Sequence, residues 1–185
     1  GSETTVAAVI SDSENHTKYA INDFKLIPMY AVLDPKLTIN LPKMLTATTG
    51  MDALTHAVEA YIGRSTNEHT RHCSLEACRL IFENLEKVFD DGKNERARAH
   101  MLKASYMAGV AFTISYVGYV HAVAHSLGGK YNTPHGLANA VVLPYMLSEY
   151  GATIHKKLKQ IAVYCGIARP YESDQIAASK FINKI

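Results

Sequence analysis

Three histidines lie close together in the stretch HAVAHSLGGKYNTPHG, at positions 121, 125 and 135. His121 and His125 are four residues apart, so on a helix their imidazoles stand on one face, one turn apart. His135 follows a proline at the predicted start of another helix. The neighbouring residues are small and apolar, and a polar side chain in such a setting needs a partner. The pattern indicates imidazoles that either bind a ligand or are satisfied by backbone carbonyls in the core.

The segment DALTH repeats this geometry with a carboxylate, because Asp52 and His56 are also four residues apart. One carboxylate with several imidazoles is a mixed oxygen and nitrogen donor set. Such a set suits iron(II), zinc or another borderline divalent ion better than calcium, magnesium or an iron–sulfur cluster. From spacing alone, a metal site and a set of core histidines remain equally open.

The other histidines lie in polar surroundings and are predicted to be solvated: His16, His69, His72, His100 and His155. The cysteines show no CxxC spacing and are expected to be reduced, small core side chains: Cys73, Cys78 and Cys165. Neither group adds to the candidate site.

The pattern of apolar residues changes near residue 40. Residues 4–11 and 26–34 are rich in Val, Ile and Tyr and are expected to be extended. From Leu41 onward the spacing is helical. The first predicted helix covers 46–63, the second runs from a cap at Asn67 to about Asp90, and the third begins near Asn94. HAVAHSLGG is predicted to be a short helix that ends at its two glycines. A further helix begins near Pro134 and is bent at Pro144, and two more follow it. We therefore predict a mainly α fold, with 1–40 extended and 41–185 helical.

Composition excludes several classes of protein. The 19 Lys and Arg are scattered among 17 Asp and Glu, giving a net charge of +2 without the basic face that nucleic acid requires. No apolar run approaches the roughly 20 residues of a membrane span, and no signal peptide is evident. We expect no nucleic acid, no membrane and a cytoplasmic location.

Four segments of the chain resemble the iron-containing (group III) alcohol dehydrogenases. Two are long, LPKMLTATTGMDALTHAVEAYI and VHAVAHSLGGKYNTPHGLANAVVLP, and two are short, GSETT at the start and LDP at 33–35. The resemblance implies that four residues hold one divalent metal, Fe²⁺ or Zn²⁺ or another: Asp52, His56, His121 and His135. It places His125 beside the nicotinamide and substrate, where it could relay the alcohol proton to solvent. It also places Ser2, Thr5 and Lys18 near the cofactor, NAD or NADP.

The resemblance further implies the helical C-terminal domain of the dehydroquinate synthase-like fold, preceded by a short β segment left from an N-terminal α/β nucleotide-binding domain. Family members are about twice as long, so we expect the chain to begin inside a GTGSE-like loop and to be cut short near Ile185. No GxGxxG occurs in it. The expected function is reversible oxidation of a primary or secondary alcohol to an aldehyde or ketone by a homo-oligomeric full-length enzyme, with this chain inactive alone.

Two alternatives from other classes remain open at this point. A metal-dependent hydrolase would need a base, and Glu59 is the nearest acid, seven residues after Asp52. A non-catalytic helical domain would bind no metal.

Overall fold

The computed structural model describes residues 2–15 and 17–185, and of Lys18 it describes the backbone alone. Two antiparallel strands, β1 (Ala7–Asp12) and β2 (Thr17–Asn22), form a hairpin in which Ala7 lies opposite Asn22. The Asp12 carboxylate accepts from the backbone N–H groups of Glu14 and Asn15 at the turn. The extended prediction is thus confirmed for 7–11.

The second predicted extended segment, 26–34, forms no strand. A 3₁₀ turn at Phe24–Leu26 leads into irregular backbone, and a second 3₁₀ turn covers Pro35–Thr38. The partner of β1 is instead the segment 17–22, TKYAIN, which was not predicted to be a strand. Pro28 supplies no N–H for a strand ladder, which argues against pairing by 26–34.

Seven helices follow among the described residues: α1 (Lys43–Ile62), α2 (Glu68–Asp90), α3 (Glu95–Ser115), α4 (Tyr119–Tyr131), α5 (His135–Tyr150), α6 (His155–Tyr164) and α7 (Asp174–Lys184). A 3₁₀ turn at Gly151–Thr153 joins α5 to α6. The mainly α prediction is confirmed. Asn67 caps α2 as predicted, and α3 begins near Asn94 as predicted, with Asn94 as its cap. Each asparagine accepts from a backbone N–H three residues on.

Helix α4 is longer than predicted, because its two glycines do not end it. It continues through Gly128 and Gly129 to Tyr131 and ends at Asn132, whose backbone is left-handed with φ 54° and ψ 29°. A glycine inside a helix costs only about 1 kcal/mol relative to alanine, and asparagine tolerates the left-handed conformation. The turn that carries the chain toward His135 therefore begins at Asn132.

Helix α1 is central and packs against α2, α3 and α5, while α4 packs on α5 and also contacts β2. The largest fully buried apolar side chains include Leu54, Ile81, Leu143, Leu147 and Phe181. As predicted, Cys78 is buried among them, and Cys73 is buried in a smaller cluster with Ala60 and Ala111, whereas Cys165 is half-buried. The apolar pattern of α2 predicts Phe89 on its inner face, and this prediction is wrong. Phe89 is 39% exposed, and the Lys43 ammonium lies 5.2 Å from its ring centre.

The prediction that the remaining histidines are solvated is confirmed for some of them and not for others. His69 and His72 are exposed, as expected. His100 was wrongly assigned to the solvated surface, because it is half-buried and its Nδ1 lies 3.1 Å from Oδ1 of the buried Asn84. His155 is half-buried too, and the prediction for His16 lies outside the described residues.

No single described helix is long and apolar enough to cross a bilayer. Helices α3 and α4 meet the length and composition criteria only when taken as a pair, and that pair is bent by 103°.

Candidate metal centre

Helix α1 presents three polar side chains toward α4 and α5. Asp52, His56 and Glu59 follow one another at helical spacing, so they lie along one face of α1. Glu59 is buried, whereas Asp52 and His56 are half-buried at the edge of a cavity. The helix thus carries a carboxylate and an imidazole to the cavity and a second carboxylate beneath it.

The first turn of α4 is held against α1 by Glu59. Its carboxylate accepts hydrogen bonds from the backbone N–H of Gly118 at 2.9 Å and of Val120 at 2.8 Å. His121 Nδ1 lies 2.6 Å from the same carboxylate. Both oxygens of Glu59 are therefore occupied and its residue is 3% exposed, so Glu59 is unsuited to be the base that the hydrolase alternative required.

These contacts direct the other nitrogen of His121 toward Asp52. His121 Nε2 lies 3.6 Å from Asp52 Oδ1, and it is a buried nitrogen without a hydrogen-bond partner among the described residues. Polar atoms left in this state are uncommon in folded proteins and call for an explanation such as a bound ion.

Helix α5 supplies the next imidazole from its first residue. His135 Nε2 lies 3.4 Å from Asp52 Oδ1. One turn along α5, the fully buried Asn139 donates through Nδ2 to Asp52 Oδ1, and the same nitrogen lies 3.2 Å from His135 Nε2. Asn139 thus links the carboxylate of α1 to the imidazole of α5.

The start of α5 lies very close to the backbone of α1. A Cβ placed on Gly136 would overlap the carbonyl oxygen of Thr48 and lie 2.7 Å from its carbonyl carbon. Only glycine permits this approach of the two helices. The glycine beside His135 is thus a requirement for bringing that imidazole to Asp52.

The imidazole rings pack on one another. His56 is stacked between Phe112 and His121, with both ring centres 4.3 Å away. The His125 ring lies 5.0 Å from that of His135 and 6.2 Å from that of His121, nearly perpendicular to the latter. His125 therefore lies beside the cluster formed by the other histidines and Asp52.

Burial and neighbouring charges set the protonation of these groups in opposite directions. Burial lowers the pKa of His56 to about 3, although the charge of Asp52 opposes the shift. Burial would raise the pKa of Asp52, but the three imidazoles outweigh burial and hold it below its usual range. Burial likewise lowers the pKa of His121, but Asp52 and Glu59 outweigh it, and that pKa is raised. Near neutral pH the site holds an ionised carboxylate and a neutral His56.

The donor set fits a divalent cation. One ligand atom from each of Asp52, His56 and His121 lies within 4.8 Å of the other two, and His135 Nε2 is near the same carboxylate oxygen. Two ligands of a tetrahedral zinc ion at about 2.1 Å are roughly 3.4 Å apart, close to the separations of Asp52 Oδ1 from His121 and His135. A cation would also satisfy the buried lone pair on His121 Nε2. That these four residues bind a metal remains a prediction.

A cavity of about 920 Å³ opens over the cluster and is lined in part by His125, Phe112 and the β hairpin. Ser2 and Thr5 line the same cavity, and Thr5 Oγ1 accepts from the backbone N–H of Ala7. The Lys18 side chain lies outside the described part of the structure. The predicted cofactor residues that are described thus share one cavity with the predicted metal ligands.

The sequence predicted neither Asn139 nor Phe112 as part of the site, and it predicted a different role for Glu59. Asn139 lies four residues after His135, and this helical spacing was a signal that could have found it. Glu59 lies seven residues after Asp52, two turns along the same face, and its only predicted role was that of a base. Phe112 gave no signal, because its contact with His56 joins α3 to α1.

The chain is similar to proteins of one known family. Residues 46–185 match the family model described as the Fe-containing alcohol dehydrogenase family, C-terminal. The chain therefore belongs to the iron-containing alcohol dehydrogenase family, and the resemblance drawn from its motifs is confirmed.

Individual relatives give the extent of the match. Alcohol dehydrogenase 4 of Saccharomyces cerevisiae is 42% identical over 185 residues, which cover 99% of this chain and 48% of that protein. The solved alcohol dehydrogenase from Oenococcus oeni is 38% identical, with a TM-score of 0.95 over 100% of this chain and 48% of that one. A sulfoacetaldehyde reductase from Bifidobacterium kashiwanohense, solved in complex with NAD⁺, is 28% identical with a TM-score of 0.86, over 98% and 47%. The chain spans about half the length of these relatives.

Proposed function

We propose that this chain forms the metal-binding half of a metal-dependent, NAD(P)-linked alcohol dehydrogenase. Asp52, His56, His121 and His135 would hold the cation, Fe²⁺ or else Zn²⁺ or another divalent ion. The observation that carries the proposal is the buried, unpartnered Nε2 of His121, which lies 3.6 Å from Asp52 Oδ1 in a cluster of imidazoles.

A bound divalent cation would supply Lewis acidity that favours the alkoxide form of an alcohol. Bound NAD or NADP would supply the hydride acceptor. The protein's own contribution is position and charge: Asp52 is held ionised, and the burial of His56 keeps that imidazole neutral near pH 7. Phe112 stacks on His56 and excludes water from that face.

His125 is proposed to accept the alcohol proton and pass it to solvent. It lines the cavity next to His135, and it is half-buried, so it lies between the site and the surface. An imidazole titrates near neutrality, which suits it to that exchange.

Ser2, Thr5 and Lys18 are proposed to lie near the cofactor. Ser2 and Thr5 line the cavity that opens over the cluster, and the sulfoacetaldehyde reductase relative was solved with NAD⁺. The division into an extended part, 1–40, and a helical metal-binding part, 41–185, belongs to the same proposal. The proposal also includes a small alcohol or aldehyde as the substrate, a homo-oligomeric whole enzyme and a cytoplasmic location.

The test is metal binding by the 185-residue chain. We expect it to bind about one equivalent of Fe²⁺ or Zn²⁺, and the double variant His121→Ala/His135→Ala to bind none at the same concentration. The matched control is His69→Ala/His72→Ala, which also removes two helical histidines, but from the exposed start of α2. If the site variant retains its metal, these residues are not the ligands.

The catalytic part of the proposal has a separate readout. The chain alone, given Fe²⁺, a primary alcohol and NAD⁺, is expected to produce no sustained NADH, because it spans about half the length of its dehydrogenase relatives. In any longer protein that contains these residues beside a nucleotide-binding domain, NADH formation is expected to require the metal and to fall with His125→Ala. Equal turnover with and without metal would contradict it.

A further inference from the structure

Glu59 is a buried carboxylate whose three donors all come from the first turn of α4. Its oxygens accept from the N–H groups of Gly118 and Val120 and face His121 Nδ1. No Lys or Arg forms an ion pair with it among the described residues. A buried carboxylate is costly without compensation, and here two amides and the positive end of a helix dipole provide it.

This arrangement decides which nitrogen of His121 carries the proton in the neutral ring. A carboxylate only accepts hydrogen bonds, so the 2.6 Å contact with Glu59 requires a hydrogen on Nδ1. The lone pair of the neutral ring is then on Nε2, which points toward Asp52. A carboxylate behind an imidazole commonly fixes the orientation and the basicity of a metal-ligating histidine in this way.

We propose that Glu59 is a positioning residue, which holds His121 in the Nδ1–H tautomer and fixes the start of α4 against α1 so that Nε2 faces the site. The tautomer is a property of the metal-free chain. Its effect on metal affinity rests on the function proposed above.

The first variant is Glu59→Gln. The amide has one accepting oxygen, so in either orientation its NH₂ group meets at least one of the three donors that the carboxylate accepts. With the NH₂ toward His121, Nδ1 becomes the acceptor and the proton moves to Nε2. We expect the ¹⁵N NMR signals of His121, measured in metal-free alkaline solution, to change from Nδ1–H to Nε2–H or to a mixture. We also expect metal affinity to fall about 10- to 100-fold.

The second variant, Gly118→Ala, disturbs Glu59 without changing it. A Cβ on Gly118 would lie 2.7 Å from Glu59 Oε1 and 3.2 Å from its carboxyl carbon, so the carboxylate has to move. The backbone at Gly118, with φ −122°, accepts alanine. We expect a smaller change in the same direction, visible even if Glu59→Gln does not fold.

The matched control is Lys157→Met. Lys157 donates at 2.8 Å to the carbonyls of Ile62 and Gly63, so it also fixes an end of α1. No hydrogen bond joins Lys157 to Glu59 or His121 among the described residues. We expect Lys157→Met to lower the free energy of unfolding while leaving the His121 signals and the metal affinity unchanged. If Lys157→Met changes the His121 signals and the metal affinity as much as Glu59→Gln does, a general loss of stability explains the effect of both variants.

The outcomes separate the two claims. If His121 of the unaltered chain carries its proton on Nε2, or if Glu59→Gln and Gly118→Ala leave the tautomer and the affinity as they were, the inference about Glu59 is overturned. If the tautomer follows Glu59 but the unaltered chain binds no divalent metal, the positioning role stands and the proposed function fails.

Discussion

Helices α4 and α5 each bring a histidine to α1 by a different kind of contact. At α4 the contact is polar, because the Glu59 carboxylate accepts from the first turn of that helix. At α5 the contact is steric, because Gly136 lies against the carbonyl of Thr48 without room for a side chain. One junction specifies the orientation of an imidazole, and the other specifies how closely a helix approaches.

The difference extends to exposure. The His121 side chain is 3% exposed, whereas that of His135 is 35% exposed. The imidazole fixed by hydrogen bonds is the buried one, and the imidazole fixed by packing borders the cavity. The side chain of Glu59 can rotate when a neighbouring group moves, so the hydrogen-bonded junction can adjust. The backbone of Thr48 that faces Gly136 cannot move in this way.

The same substitution at both junctions tests this contrast. Gly136→Ala is expected to cost about 3 kcal/mol of unfolding free energy, at the upper end for overpacking, because the new methyl group meets backbone. Gly118→Ala should cost less, since it meets the end of a side chain. Chemical denaturation of the metal-free variants measures both.

The control for Gly136→Ala is Leu137→Ala, on the same turn of α5, where the residue is 40% exposed. We expect a change within about 0.5 to 1 kcal/mol. An equal loss in Gly118→Ala and Gly136→Ala would remove the distinction between the two junctions.

A smaller loss of stability is expected when Asn139, whose side-chain amide links α5 to Asp52, is replaced. Asn139→Ala removes the donor to Asp52 Oδ1 and should cost about 1 to 3 kcal/mol of stability and about 10-fold or more in metal affinity. Asn84→Ala is the matched control, because Asn84 is also buried and donates to the Leu80 carbonyl. It should lose comparable stability with unchanged affinity, and a loss of affinity there would argue against a specific role for Asn139.

The pH dependence of the metal-free chain separates His56 from His121. The pKa of His56 is lowered to about 3, so the unfolded chain binds more protons and stability rises with pH between about 3 and the ordinary value near 6.5. The pKa of His121 is raised, so its contribution is complete below the unfolded value and is lost as pH rises through the folded one.

Stability of the metal-free chain is therefore expected to pass through a maximum, measured by denaturation in chelator across the pH range. His56→Phe should flatten the acid side by about 1 kcal/mol or more, and His121→Phe should flatten the alkaline side. If His121→Phe leaves the alkaline side unchanged, another group carries it.

Much of this architecture was predictable from local pattern. The cap at Asn67, the start of α3 near Asn94 and the placement of Asp52 and His56 on one helix depend on residues close in sequence. The structure has all three as predicted. What failed depends on contacts between distant elements. The β2 strand, which holds Tyr19, Ala20 and Ile21 between polar residues, was not predicted, and α4 continues through two glycines. The role of Glu59 exists only because Gly118 lies opposite it, 59 residues later in the chain.

The last contrast is between the site and the apolar core, where the cysteines lie. Burial raises the pKa of Cys165 to about 12 and that of Cys78 well above its usual value. At pH 8 a thiol of pKa 12 is ionised in only about one molecule in 10⁴, and the thiolate is the nucleophile. Iodoacetamide is therefore expected to label Cys165 and Cys78 slowly in the folded chain and rapidly in denaturant. The labelling is measured by mass spectrometry. Rapid labelling of the folded chain at pH 8 would contradict the burial of these thiols.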